Sequence, residues 1–163
     1  MHTGRLLALA GVIVGIIGLF LKALTSAGEG LLPALHQADP SFPDGFPTIW
    51  GGLATWAQIV LVILIVVVVA LALLGVRSAA MSRSSSLVTA VIGVALLAYA
   101  IIKYLDALDS ADAIQAGMAK AAAGGMIPAE AYTVSAGIGF FILIIGTVLM
   151  IAGGLSGLRS SES

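Results

Sequence analysis

Hydrophobic residues run in four blocks along this chain, roughly Leu6–Leu24, Leu53–Val76, Leu87–Tyr104 and Thr133–Leu158, and no charged side chain stands near the middle of any of them. Each block is close to the ~20 residues that a helix needs to cross a bilayer. The pattern predicts an all-α fold, a four-transmembrane-helix bundle of two hairpins with two sizeable extracytoplasmic loops, the second largely helical. Spans and loops take up nearly every residue, so 1–163 is expected to form a single integral membrane domain with outer loops at about 25–52 and 105–132. The first block imitates a secretory leader through Arg5 and Thr25-Ser26-Ala27. Its apolar run is long for a leader and Lys22 interrupts its end, so a true span is expected.

The polar stretches differ from one another. The first outer loop holds Pro33, Pro40, Pro43 and Pro47, four of the chain's five prolines, and proline lacks the N–H that a continuous helix needs. One short helix over Leu31–Gln37 is predicted, with Pro33 in its first turn, followed by turns at Asp39-Pro40 and Pro43-Asp44-Gly45. Phe42, Phe46, Trp50 and Trp56 then form an aromatic set suited to the membrane interface. The same set could serve as a lid for a partner or a lipid. From Lys103 to Ala123 there is no proline, and Leu105, Leu108, Ala111, Ile114 and Met118 recur at helical spacing. The third span is therefore expected to run on as a continuous or barely kinked helix, ending near Gly124-Gly125; a separate surface helix capped by Asp109-Ser110 is the alternative.

Charge sorts by residue type. If the spans alternate, Arg5, Arg77, Arg83 and Arg159 share one side, and Lys22, Lys103 and Lys120 share the other with seven of the eight acids. Arg77 and Arg83 crowd a very short connection. This places both termini and that link in the cytoplasm.

Composition narrows the class further. The chain is 60% hydrophobic and 9% charged, far from the quarter-charged make-up of soluble domains, and its net charge of −1 suggests no nucleic-acid partner. The absence of cysteine removes disulfides, thiol catalysis and cysteine-held metals. No cofactor or metal is expected. His2 and His36 fall on opposite sides of the membrane, so one chain cannot supply a bis-histidine haem site. Ser41 and Asp44 read as turn residues, and no nucleophile stands beside a base. Asp106, Asp109 and Asp112 spiral along a helix face without converging on one ion. Pumps and ion-coupled carriers place ionisable residues at membrane depth, and these spans have none there. The chain is not expected to be an enzyme.

The glycines carry the remaining signal. Gly139, Gly146 and Gly153 recur every seven residues on one face of the last span, and Gly11-Val12-Ile13-Val14-Gly15 forms a GxxxG pattern with Gly18 nearby. Small residues let helix backbones approach closely in lipid. These faces are expected to pack within the bundle or to receive a helix of another subunit. Gln58 and Tyr99, the more demanding polar groups within the spans, are expected to touch and orient the hairpins. Ser84–Ser86 are expected to cap the third span.

The Ala/Gly/Val/Leu bias, scarce lysine and missing cysteine resemble proteins of high-GC bacteria. The four-span arrangement is similar to small accessory subunits of actinobacterial envelope complexes, either Mce-type lipid importers or bcc–aa3 respiratory supercomplexes. Trp50-Gly51-Gly52-Leu53 is similar to a motif of claudin-type tetraspans, whose paired loop cysteines are missing here. The resemblance implies a non-catalytic accessory or regulatory subunit in the bacterial plasma membrane, multi-pass, with other integral membrane subunits and membrane lipids as partners. Lipid import or envelope transport is the first expectation. A respiratory accessory subunit and a self-assembling small transporter or channel are the alternatives.

Overall fold

A computed structural model describes residues 2–76, 78–128 and 133–160 of the chain. Arg77 and Glu130, which enter the charge pattern above, lie outside the described residues. Within them the chain is mostly helical, with α1 (Thr3–Leu19), α2 (Leu32–Ala38), α3 (Thr55–Leu73), α4 (Arg83–Ala123) and α5 (Gly139–Ser160). By length and apolar character α3, α4 and α5 suffice to cross a membrane; α1 is apolar but has 17 residues.

The fold is not purely helical. Strand β1 (Leu24–Ser26) pairs antiparallel with β2 (Val134–Ala136), Leu24 opposite Ala136 and Ser26 opposite Val134. The first and last hydrophobic blocks are thereby shortened. The first block's helix ends at Leu19 rather than Leu24, and the last begins at Gly139 rather than Thr133. Hydropathy reports burial and not conformation, and Leu24 and Val134 are as buried in the ribbon as span residues would be. The backbone here also has other partners. Ile49 donates to the Leu21 carbonyl at 2.9 Å, Ala23 to Pro47 at 3.0 Å and Trp50 to Leu19 at 2.8 Å, knitting the exit of α1 to the approach of α3.

Helix α2 starts with its proline in the first turn, where the missing N–H has no helical acceptor to lose. Helix α4 runs unbroken for 41 residues. At 1.5 Å per residue that is ~60 Å, about twice the hydrocarbon thickness of a bilayer. Its N-cap is Ser82, whose hydroxyl accepts from the Ser85 amide at 3.2 Å, and not the serines from Ser84 onward. It ends where Gly125 takes φ +75°, a conformation that glycine adopts without penalty.

Helix α5 lies between α1 and α4, antiparallel to both. Gly4 of α1 meets Ser156 and Gly153, Gly11 meets Gly146, and Gly18 meets Gly139. On its other face Gly154 and Gly157 meet Ala90 and Ser86 of α4. The start of α1, the start of α4 and the end of α5 therefore share one end of the bundle, the terminal end. At the opposite end the second half of α4, α2 and the ribbon form a cap with its own core, including Leu32, Leu35, Phe46, Ile49, Ala111 and Met118.

Candidate functional site

Glycine positions on α1 and α5 decide how closely those helices meet. A methyl group placed on Gly146 would lie 2.6 Å from the Gly15 nitrogen and 2.7 Å from the Gly11 oxygen. On Gly153 it would meet the Ala8 nitrogen and Gly4 oxygen at 2.6 Å, and on Gly139 the Gly18 oxygen at 2.7 Å. The operative stripe on α1 is Gly4, Gly11 and Gly18, also spaced by seven, rather than the GxxxG pair. Gly15 differs: its missing side chain would meet only Leu143 Cδ1 at 3.9 Å, because it faces open space.

That space is the site. A cleft of about 530 Å³, including its open part, lies among α1, α3, α4 and α5, with Gly15, Leu61, Leu96, Tyr99 and Lys103 on its walls. It adjoins a side groove of about 490 Å³ between α3 and α4, which shares Leu61, Leu96 and Tyr99 and has Trp56 on its rim. At the cap end it adjoins a pocket that shares Lys103 and adds Asp106 and Ser110. Both volumes include open space; the enclosed room is about 40 Å³ in the cleft and 180 Å³ in the groove, which suits a slender chain rather than a bulky ligand. Apart from Thr147, whose hydroxyl donates to the Ile144 carbonyl of its own helix, the lining is apolar except at the cap end, where Lys103 Nζ donates to Asp106 Oδ2 at 2.7 Å and lies 5.9 Å from the Tyr99 ring centre.

The groove exists because α3 stands apart. It is held at one end by Arg5, which is 4% exposed. Arg5 Nε donates to the Ala79 carbonyl at 2.9 Å, Nη1 to Ala72 at 2.8 Å and Leu74 at 2.5 Å, and Nη2 to Ala80 at 3.3 Å. These carbonyls belong to the last turn of α3 and the segment after it, groups that a helix leaves unpaired. Val68 and Ala72 of α3 are fully buried nearby in one cluster with Ala8 and Val12. At the other end Gln58 donates to the carbonyls of Trp50 at 2.9 Å and Leu53 at 3.4 Å, so the expected contact with Tyr99 is replaced by a tie to the segment leading into α3.

The aromatic set divides. Phe46 is buried in the cap core, and Phe42 is partly buried against Gly117 of α4. Trp50 packs on Phe20 with ring centres 6.2 Å apart, and Trp56 is 65% exposed beside the groove. Asp106, Asp109 and Asp112 are all exposed, and among the described residues no three His, Asp or Glu side chains converge as metal ligands. Both histidines have structural bonds: His2 Nδ1 accepts from the Gly4 amide at 3.2 Å, and His36 Nδ1 faces the Phe42 carbonyl at 2.5 Å and so donates to it. In the cap, the Ser41 amide and hydroxyl hold the exposed Asp39 carboxyl below its ordinary range.

Sequence reasoning missed Arg5 and Lys103 as site residues. The first looked like a topology charge and the second like a helix-end lysine. Their spacing held a clue for Lys103, since Tyr99, Lys103 and Asp106 stand four and three apart and share a helix face. Nothing local marks Arg5, whose acceptors lie more than 65 residues away. Comparison with protein-family models, curated proteins and solved structures finds no match to this chain.

Proposed function

We propose that this chain is a non-catalytic, four-span subunit of the bacterial plasma membrane that takes an acyl chain from the bilayer into the groove between α3 and α4. The observation carrying the reading is that groove with the cleft it adjoins: apolar walls, and at the cap end of the cleft Lys103 paired with Asp106. Helix α1 counts as the fourth span, since 17 residues rise ~25 Å and it lies along α5 for its whole length. With Arg5, Arg83 and Arg159 at the terminal end, both termini belong in the cytoplasm and the cap outside.

The glycine stripes are occupied within the chain, which supports internal packing over docking for Gly11, Gly139, Gly146 and Gly153. Contact with other integral membrane subunits then falls to the exposed face of α3, where Ile59, Ile63 and Val66 are uncovered. Among the assemblies that the chain resembles, a laterally open acyl-chain site suits an Mce-type lipid importer. A respiratory accessory subunit has no comparable need of one.

Purification of the tagged protein from its native membrane in mild detergent, with mass spectrometry of proteins and lipids that accompany it, tests both halves. Stoichiometric phospholipid together with subunits of an envelope transporter is the expected result. A lone, lipid-free protein would overturn the reading, and respiratory companions would reassign it.

A further inference from the structure

The charged pair at the head of the cleft narrows what the cleft accepts; this step rests on the acyl-chain reading above. Lys103 stands about 20 residues beyond Arg83, where α4 begins. That is a rise of ~30 Å, the thickness of the hydrocarbon layer, so Lys103 and Asp106 fall at headgroup depth. Toward the terminal end the walls are apolar, with Leu61, Ile65, Leu96 and Met150. Toward the cap the pocket offers Lys103, Asp106 and the Ser110 hydroxyl. The cleft thus changes from hydrocarbon-like to dipolar at the depth where a phospholipid does.

The pair carries one charge of each sign, and its side chains are 37% and 56% exposed. A half-solvated pair of this kind is weak and parts readily when better partners arrive. A phosphate offers Lys103 an anionic acceptor, and a primary ammonium offers Asp106 three donors. An anionic headgroup without an amine satisfies Lys103 but sets a like charge against Asp106, with Asp109 and Asp112 farther along the same helix. A trimethylated headgroup nitrogen has no N–H to give Asp106.

We infer that the cleft selects a zwitterionic phospholipid whose headgroup carries both a phosphate and a primary amine. The phosphate lies on Lys103, the ammonium on Asp106, and one acyl chain runs from the cleft beside Gly15 into the side groove.

The test uses the full chain in bilayers of equal parts phosphatidylethanolamine, phosphatidylcholine and phosphatidylglycerol. The protein is extracted in mild detergent and the retained lipid is quantified by mass spectrometry. Retained lipid several-fold enriched in phosphatidylethanolamine is expected. Lys103→Gln should keep lipid but lose that preference, and Asp106→Asn should shift it toward phosphatidylglycerol, because the freed lysine then favours net negative charge. Lipid retained in bilayer proportions, or a preference that neither variant changes, overturns the headgroup assignment and leaves the acyl-chain reading standing. No lipid on the native protein, or as much on Gly15→Leu protein of unchanged melting temperature, overturns the acyl-chain reading and the headgroup assignment with it.

Discussion

Helices α1 and α3 are both apolar and neighbours in the bundle, yet they are held in opposite ways. α1 meets α5 along its length through Gly4, Gly11 and Gly18 facing Gly153, Gly146 and Gly139. α3, from Thr55 to Leu73, contains no glycine at all. Its middle is leucine, isoleucine and valine, and Ile59, Ile63 and Val66 face outward. In lipid an apolar surface gains little by leaving its surroundings for another helix; close backbone approach through small residues is what helps. The glycine-rich pair therefore closes, and the glycine-free helix stands off, tied near its two ends with a groove beside it. Hydropathy ranks α3 as the strongest span, whereas glycine distribution tells which helices pack closely.

The largest expected effect comes from breaking the tight side. Gly146→Leu puts a side chain where even a methyl lies within 2.8 Å of three backbone atoms of α1. Rigid backbone cannot yield as a side-chain tip can, so the cost should exceed ~3 kcal/mol, beyond ordinary overpacking. The expected outcome is loss of monodisperse protein on size exclusion in detergent. Gly15→Leu, one turn from Gly11 on the same helix, should elute and melt like the native chain because it points into the cleft. Similar behaviour of the two variants would remove the distinction between stripe and cleft.

Next comes the clasp at the terminal end of α3. Arg5→Met keeps length and removes every donor, leaving the carbonyls of Ala72, Leu74, Ala79 and Ala80 without their charged partner. Such bonds contribute ~1.5–3 kcal/mol each but not additively, and the desolvation cost of the guanidinium is relieved. A net loss of ~2–4 kcal/mol is expected. Arg5→Lys should fall between, since a point ammonium cannot reach four acceptors spread across a planar fork. Thermal melts of the three proteins in one detergent should rank Arg, Lys, Met. Equal melting temperatures would mean that Val68 and Ala72, and not Arg5, hold the terminal end of α3.

How much of this was readable beforehand follows from which forces act locally. The runs over 53–76 and 87–104 mark α3 and the first half of α4 because apolar composition and the absence of proline are local properties. Pro33 marks the start of α2 for the same reason. The ribbon is different: Thr25 and Ser135 are 110 residues apart, and three-residue strands leave no periodicity to detect. The glycine stripe on α1 is half visible in sequence: Gly11 and Gly18 lie within the apolar block, but Gly15 forms a GxxxG pair with Gly11 and Gly4 stands outside the block. The burial of Arg5 could not be read, because an arginine near the start of a span ordinarily faces the headgroups. The cleft was invisible because no single segment contains it; four helices contribute its walls.

The tie at the cap end of α3 should matter less than Arg5. Gln58 is a neutral donor serving two carbonyls, one of them at 3.4 Å. Gln58→Leu is expected to cost ~1 kcal/mol and to lower the melting temperature by less than Arg5→Met does. A drop as large as that of Arg5→Met would mean that the cap end, and not the terminal end, fixes α3.

The smallest effect should have the opposite sign and lies on the tight side. Thr89 of α4 is fully buried, and its hydroxyl is the one buried side-chain polar atom among the described residues with no hydrogen-bond partner. It stands between Ser86 and Gly93, both packed on α5. Where backbones close this tightly there is little room for a partner or a water, and the unpaired hydroxyl costs free energy. Thr89→Val replaces it with a methyl of nearly the same volume and keeps the β-branched rotamer, so stability should rise by up to ~1 kcal/mol. Thr89→Ser does the reverse, keeping the hydroxyl and deleting the methyl, and should lower the melting temperature through a small cavity. Opposite shifts from these two conservative changes would show that packing, and not hydrogen bonding, holds the α4–α5 contact. A fall with valine would mean that the hydroxyl is paired in the membrane.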